Sequence, residues 1–258
     1  MKLYKYIISN MCSLPCLHTK SGRIELIIGC MYASKTSTLL SFYHKYKALN
    51  KNLFAINFAD DTRYGDGIIS THNHASIKAK CVKRLLPLLE TEDYINSDAI
   101  FINEGQFFDD LYDFCIQAAD IDKKTIFVCG LDGDFQRKPF TNITNLIPMA
   151  ESIHKLHSCC IYCQDGTPGN FTKRLTDSKK RICIGGTESY VSVCRFHFLQ
   201  TWFYLYKIKL IIINNYKMDK NLWWFIIYSR NLIIQYKNDY NKAKNNFKNT
   251  IFKNCIFK

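Results

Sequence analysis

Arg23-Ile-Glu-Leu-Ile-Ile-Gly29, followed by Cys30-Met-Tyr-Ala-Ser-Lys35-Thr36, decides how this chain folds. A short apolar run ending at a glycine reads as a buried strand. From Lys35 to Leu49 the apolar residues Leu39, Phe42, Tyr43, Tyr46 and Leu49 recur at helical spacing. The turn between that strand and that helix has the form of a phosphate-binding loop. Backbone N–H groups and the helix N-terminus face an anion, Lys35 reaches the outer phosphates, and the Thr36 hydroxyl ligates Mg²⁺. The usual spacing is G-x-x-x-x-G-K-[ST], and Ser34 stands here in place of the second glycine. If that position needs a positive φ, serine costs on the order of 1 kcal/mol. Taken alone, the motif fits either a phosphate cradle or an ordinary strand–helix connection with a surface lysine.

The same rhythm continues outward. Leu53–Phe58, Ala99–Asn103 and Thr125–Leu131 read as further strands, and Leu111–Ala119 as a helix. Strands alternating with helices imply a parallel sheet with crossover helices. The expected fold is therefore α/β, a P-loop-type parallel sheet with flanking helices. Residues 151–199, rich in Cys and Gly, break the rhythm and read as a small appended lobe. The expected organisation is a poorly ordered extension over 1–21, a nucleotide-binding domain over 22–150, the small lobe over 151–199 and a separate extension over 200–258.

The 258 residues carry a formal net charge of +13, which at face value suggests a polyanionic partner. The charge is uneven: residues 200–258 hold 11 Lys/Arg against 2 Asp/Glu, a net of +9, which leaves only +4 for the rest. That segment also holds ten Asn, all three Trp and no Gly or Pro. Its charges form no clear face, so it reads as an extension with the composition of translated AT-rich DNA. The other reading is a basic aromatic segment for a membrane surface or a nucleic acid. The N-terminus lacks a sustained apolar stretch, since Ser9 and Asn10 interrupt it, and the chain reads as cytoplasmic with reduced thiols. The nearest approach to a membrane span, Thr201–Ile213, is short and carries Lys207 and Lys209, so no membrane segment is expected.

Ala99-Ile-Phe-Ile-Asn103-Glu104-Gly105-Gln106-Phe107-Phe108 is a strand that ends in polar residues, where ligands of open α/β sheets bind. Glu104 there can accept a proton from a substrate hydroxyl; the plainer reading is a strand-end carboxylate in solvent.

Several strings together resemble one family. They are Asp61-Thr-Arg-Tyr64, Glu104-Gly-Gln-Phe-Phe108, Leu131-Asp-Gly-Asp-Phe-Gln-Arg-Lys-Pro-Phe140, Ala150-Glu-Ser152, Thr172-Lys-Arg-Leu175 and Ile184-Gly-Gly186, then Tyr190 and Ser192-Val-Cys194. In order and nearly in spacing they resemble the type II thymidine kinases, the cellular and poxviral class. The resemblance runs from Gly22 to Leu199. It implies transfer of the ATP γ-phosphoryl group to the 5′-hydroxyl of thymidine. Glu104 would be the general base, with Arg63 and Lys35 beside the transferred group. Nucleotide and Mg²⁺ would be held by Gly29, Cys30, Met31, Tyr32, Ala33, Ser34, Lys35, Thr36, Asp61, Asn103 and Gln106. Met31, Phe107, Leu131, Phe135, Phe140 and Thr172 would wall the nucleoside pocket, Phe135 stacking on the base. A lasso-like lid would read the thymine edge through Arg181, Ile182, Cys183, Ile184 and Gly185, with Tyr190 against the substrate. For each aromatic taken alone, plain core packing is the better reading.

Cys160-x-x-Cys163 and Cys194-x-x-His197 have the paired spacing of a tetrahedral zinc site. Four protein ligands leave no open position, so the expected Zn²⁺ is structural and pins both ends of the lid. Cys159, His154 and His157 lie nearby, and the family pattern selects Cys160 over Cys159. The resemblance further implies a homo-tetramer and feedback inhibition by thymidine triphosphate; a nucleic-acid partner is not expected. Three positions depart from the pattern. Ser34 replaces Gly, Asn103 replaces an acidic residue linked to Mg²⁺, and Arg181 replaces an apolar lid residue. The lid is also two residues longer around Gly166–Asn170. An active kinase and a paralogue that binds nucleoside with weak transfer both remain open on these residues.

Overall fold

The computed structural model describes residues 21–200 except 62–64, 66, 72–74, 177–179, 182–184 and 187. The expected N-terminal extension and the segment beyond Gln200 lie outside the described residues. The chain divides into two compact units. The first contains Lys35–Asp132, Pro139–Lys155 and the chain up to Ile28; the second contains Gly29–Ser34, Gly133–Lys138 and the chain from Leu156 onward.

The first unit is built on a six-stranded sheet. Its elements in chain order are β1 (Arg23–Gly29), α1 (Lys35–Ala48), β2 (Leu53–Phe58), the hairpin β3 (Ile68–Ser70) and β4 (Ser76–Lys78), and β5 (Lys80–Val82). They continue with α2 (Glu92–Ile95), β6 (Ala99–Ile102), α3 (Leu111–Ile116), β7 (Thr125–Gly130), α4 (Thr141–Thr144) and β8 (Ser152–Leu156). The sheet order is β5-β2-β6-β7-β1-β8. The pairs β5/β2, β2/β6, β6/β7 and β7/β1 are all parallel. Parallel strands need helices on both faces, and the side chains supply both. Alternation along β6 and β7 sends Ile100, Ile102, Ile126 and Val128 into a core with Leu111, Phe114 and Ile143. The intervening Phe101 and Phe127 point to the opposite face, where their rings stack at 4.7 Å between centroids. The α1 side chains Phe42 and Tyr46 cover Phe127 at 5.0 and 5.1 Å, and Tyr43 covers Phe101 at 5.2 Å.

The structure departs from the sequence reading at three elements. Leu49 follows the last helical residue and is 60% exposed, so the apolar stripe of α1 ends at Tyr46. The helix expected over Leu111–Ala119 is regular to Ile116 and then widens into a π-type turn over Gln117–Ile121. Strand β8 has no apolar run to betray it: its residues alternate between half-buried and exposed, as suits a strand at the sheet's edge.

Among the described residues, the second unit is built on two two-stranded sheets. Strand β9 (Ser158–Cys159) pairs antiparallel with β10 (Pro168–Gly169), and β11 (Phe171–Arg174) with β12 (Tyr190–Val193). Residues 195–200 are helical. Cys160, Val191, Val193 and Phe198 form its core, with Cys163, Cys194 and Phe171 partly buried against it. Among the described residues, no helix is long and apolar enough to cross a membrane.

Phe127 touches rings on its own strand layer and on α1 and is 1% exposed. Phe127→Ala is expected to lower unfolding free energy by about 3–5 kcal/mol, measured by urea denaturation.

Candidate active site

The chemistry-bearing residues of the first unit gather at the carboxyl ends of β6 and β7. Glu104, two residues beyond β6, adopts left-handed backbone angles of φ 53° and ψ 39°. That conformation costs a non-glycine residue about 1 kcal/mol. The Glu104 carboxylate accepts a hydrogen bond of 2.6 Å from Gln106 Nε2. Gln106 is itself 2% exposed, and its Oε1 accepts the Leu131 N–H at 2.9 Å. Two glycines make room for this link. A Cβ at Gly130 would lie 2.7 Å from Gln106 Oε1, and one at Gly105 would lie 2.8 Å from Val128 Cγ1. Gln106 was expected beside the nucleotide; its carboxamide faces Glu104 and Leu131.

Lys35 and Thr36 open α1. The Thr36 hydroxyl lies 3.5 Å from Asn103 Oδ1. Asn103 Nδ2 donates to Asn57 Oδ1 at 3.0 Å, and Asn57 Nδ2 donates to the Ile68 carbonyl at 3.2 Å. Behind them Cys129 is buried. Burial pushes its thiol up to about 12; the Lys35 ammonium opposes the rise, the Glu104 carboxylate adds to it, and a hydrogen bond with Thr36 lowers it. Lys35, Thr36 and Glu104 therefore share one neighbourhood around this thiol. Adjacent ligands of octahedral Mg²⁺ sit about 3 Å apart. The two oxygens of Thr36 and Asn103 can face one such ion after a small inward shift.

Asp61 is buried in the turn after β2, its N–H donating to the Phe58 carbonyl at 3.0 Å. The Phe107 ring lies 5.2 Å from that of Phe58. Leu131 follows β7, and Phe140 is buried just before α4. Arg63 lies outside the described residues.

The second unit holds Gly29–Ser34. Gly29 has φ 147°, and a Cβ there would lie 2.2 Å from the Leu156 carbonyl oxygen, so both conformation and space exclude a side chain. Tyr32 and Ser34 have φ of 62° and 57°. Ser34 therefore does occupy the left-handed conformation that a glycine would take without strain. Cys30 Sγ donates to the Gly169 carbonyl at 3.0 Å. The Met31 N–H donates to Thr172 Oγ1 at 3.0 Å, and Ser192 Oγ donates to the Met31 carbonyl at 2.5 Å. Ala33 is buried. Thr172, expected at the nucleoside, thus accepts a hydrogen bond from the loop backbone.

Arg174 organises the rest of this unit. Its guanidinium stacks 3.7 Å from the Phe135 ring centroid. It donates to the Tyr190 hydroxyl through Nε at 3.2 Å and Nη2 at 2.7 Å, and to the Arg181 carbonyl at 2.9 Å. Arg181 Nε donates to Asp134 Oδ2 at 2.9 Å, while Asp134 Oδ1 accepts the Gln136 and Lys138 N–H groups. Gly185 is half-buried; Ile182, Cys183 and Ile184 lie outside the described residues.

Cys160, Cys163, Cys194 and His197 converge, their ligand atoms all within 4.8 Å of one another. His197 Nδ1 lies 3.5, 3.5 and 3.3 Å from the sulfurs of Cys160, Cys163 and Cys194, and the last two sulfurs are 3.8 Å apart. A tetrahedral Zn²⁺ with ordinary bond lengths requires edges of about 3.8 Å between sulfurs and about 3.5 Å between sulfur and nitrogen. The His197 distances and the Cys163–Cys194 edge match a closed zinc site, and the donor set fits that ion. Burial, reinforced by the Lys173 ammonium, holds the His197 pKa below its usual value, which favours the neutral imidazole that binds metal. Burial opposes ionisation of Cys160, but backbone N–H groups of Cys194, Cys163 and Tyr162 outweigh it and lower its pKa.

Four residues in these arrangements escaped the sequence reading: Asn57, Cys129, Asp134 and Arg174. Asn57 did leave a signal, as a polar residue within the apolar strand Leu53–Phe58. Asp134 and Arg174 lie within strings that carried the resemblance, unremarked because a charged residue in a loop or edge strand is ordinary.

A parallel sheet entered by a phosphate-loop turn, with acidic and amide side chains beyond its carboxyl ends, defines the P-loop-type α/β class. Comparison with known proteins narrows this. Residues 22–198 match the family model described as thymidine kinase. The chain is 42% identical over 176 residues to the thymidine kinase of rabbit fibroma virus (strain Kasza), covering 67% of this chain and 94% of that protein. It is 39% identical over 174 residues to the thymidine kinase of myxoma virus (strain Uriarra), covering 67% and 94%. To the thymidine kinase of Oryza sativa subsp. japonica it is 40% identical over 182 residues, covering 69% and 66%. The chain belongs to the thymidine kinase family.

Gln106→Leu removes the acceptor of the Leu131 N–H and the donor to Glu104. It is expected to cost about 1–3 kcal/mol in urea unfolding.

Proposed function

We propose that the chain is an ATP-dependent thymidine kinase, transferring the γ-phosphoryl group to the 5′-hydroxyl of thymidine. The observation that carries this reading is geometric: Lys35 and Thr36 open α1, the Thr36 hydroxyl lies 3.5 Å from Asn103 Oδ1, and Glu104 follows Asn103 directly beyond the carboxyl end of β6. A cation for phosphate, a hydroxyl for the metal and a carboxylate for the nucleophile are the groups that phosphoryl transfer needs together. Family membership supplies the substrate.

In this mechanism Glu104 takes the proton of the 5′-hydroxyl as its oxygen attacks the γ-phosphorus. Gln106 holds the carboxylate in position. Lys35 lowers the energy of the charge that builds on the phosphoryl oxygens, a role Arg63 shares. Thr36 and Asn103 would hold Mg²⁺, which would supply positive charge against the phosphates. In the first unit, Phe107, Leu131 and Phe140 serve the nucleoside. In the second, Met31, Phe135, Thr172 and Tyr190 do so, with the backbone of 181–185 reading the base. Arg174 keeps Phe135 and Tyr190 in their present orientations. Cys160, Cys163, Cys194 and His197 would hold a structural Zn²⁺. The reading extends to a cytoplasmic homo-tetramer that salvages thymidine for DNA synthesis and is inhibited by thymidine triphosphate.

Ser34 and Asn103 do not favour a non-catalytic relative. Ser34 adopts the required φ at a cost of about 1 kcal/mol. Asn103 keeps an oxygen toward Thr36.

The test is phosphorylation of labelled thymidine by the full chain with ATP, Mg²⁺ and zinc. Glu104→Gln is expected to lower kcat by about 10²–10⁴-fold with its fold intact. Equal, background-level product from both proteins would sink the proposal. In parallel, atomic absorption should find one zinc per chain. Cys163→Ser should lose it and unfold at lower temperature; an unchanged metal content would refute the zinc assignment.

A further inference from the structure

The carboxamide of Asn103 has two ends of opposite character. Its oxygen can face a cation; its NH₂ group repels one. Nothing in the covalent structure distinguishes the two orientations, so a neighbour must. That neighbour is Asn57, 3% exposed, whose Oδ1 accepts the Asn103 NH₂ at 3.0 Å. Asn57 would itself be ambiguous, but its own NH₂ donates to the Ile68 backbone carbonyl at 3.2 Å. A backbone carbonyl only accepts, so the direction of the whole chain is fixed from that end. Ile68 orients Asn57, Asn57 orients Asn103, and Asn103 presents Oδ1 toward the Thr36 hydroxyl at 3.5 Å. Both amides are buried, so a reversed orientation would set NH₂ against NH₂ or carbonyl against carbonyl away from water, at a cost of about 1–3 kcal/mol for each unpaired group.

We propose that Asn57 is a positioning residue for divalent-cation binding: by fixing the Asn103 carboxamide it makes a neutral side chain serve where a carboxylate would need no such orientation. The inference rests on the kinase reading and on the role of Thr36 and Asn103 toward Mg²⁺. A carboxylate at 103 presents oxygen whichever way it turns. An amide is competent in one orientation only, and the cation gains no net charge from it. Outer partners that orient a metal ligand typically carry 10–100-fold in metal affinity when removed. The β3–β4 hairpin, through the Ile68 carbonyl, thereby contributes to the cation site without any side chain in it.

The experiment is a double-mutant cycle on the full chain with Asn57→Leu, Asn103→Ala and the double variant. Two quantities are read: the Mg²⁺ concentration for half-maximal thymidine phosphorylation, and Mn²⁺ binding in the presence of ATP, followed by loss of the free-ion electron paramagnetic resonance signal. Asn57→Leu is expected to weaken Mn²⁺ binding and raise the Mg²⁺ requirement by about 10-fold or more, leaving the KM for thymidine unchanged. In the Asn103→Ala background the same substitution should change neither quantity. No shift in the single variant, or equal shifts in both backgrounds, overturns the proposal. Should Asn57→Leu fail to fold, Asn57→Ser, which keeps an oxygen at the position, is read by the same criteria with a smaller expected shift. Wild-type protein that makes no product at any Mg²⁺ concentration refutes the kinase reading instead, and the Mn²⁺ titration still decides the role of Asn57.

Discussion

Parallel strands stop being held together where their backbone ladder ends, and in this sheet the ladder ends where the reactive groups begin. The Gln106 side chain continues it. Its carbonyl takes the N–H of Leu131, just past β7, and its NH₂ group takes the Glu104 carboxylate, just past β6. One buried carboxamide thus binds the exits of two neighbouring strands to each other. The left-handed turn at Glu104 depends on it, because about 1 kcal/mol of backbone strain is offset by hydrogen bonds of comparable net worth. The glycines at 105 and 130 depend on it too, since a side chain at either would force apart the groups that Gln106 joins.

The second unit meets a different constraint. Among its described residues the core cluster is four buried residues, one of them a cysteine, with two more cysteines partly buried against it. That cluster alone contributes modest stability. Cross-linking by a metal is a common substitute for a larger core. The arrangement of Lys173 matches this account. Its ammonium donates to the His197 carbonyl at 3.0 Å and disfavours protonation of the same residue's imidazole. The imidazole that would hold the ion is thus kept in the neutral state that binds it. The same unit fixes Met31 from both sides, through the hydroxyls of Thr172 and Ser192, so the loop backbone is held by groups that leave its N–H and C=O satisfied.

The parts of this fold that were legible in the sequence are those with a strong periodic or spacing signal. Strands β1, β2, β6 and β7 are nearly continuous apolar runs because both of their faces are covered. Strand β8 and the β3–β4 hairpin gave no such signal, being short, half-exposed and polar on alternate residues. The metal cluster was legible as two C-x-x-C/H pairs, since ligand spacing within one turn is local. The amide chain from Ile68 to Asn103 was not. Its members are 46 and 11 residues apart in sequence, and they meet only because β2 and β6 are neighbours in register. Arg174 was hidden for a related reason: its partners Phe135, Arg181 and Tyr190 come from three separate segments.

Ser34 and Asn103 look like two instances of one weakness, but they act on different quantities. The cost of Ser34 is conformational and is present whether or not nucleotide is bound, so it lowers the stability of the loop more than the rate of a reaction within it. Asn103 changes the electrostatics of the position that, in the proposed mechanism, would hold a divalent ion. A unit charge 4 Å from another is worth about 4 kcal/mol at the effective dielectric of a protein surface and about 1 kcal/mol in water. Losing one carboxylate therefore matters in proportion to how well the site excludes solvent. Asn103 and Asn57 are both buried, at 4% and 3% exposure, which puts this position toward the more sensitive end. A neutral ligand there works only if its dipole is aimed, and the three-link chain from the Ile68 carbonyl supplies the aim. The departure at 103 thus cannot be weighed apart from the residue at 57, whereas the departure at 34 can be weighed alone.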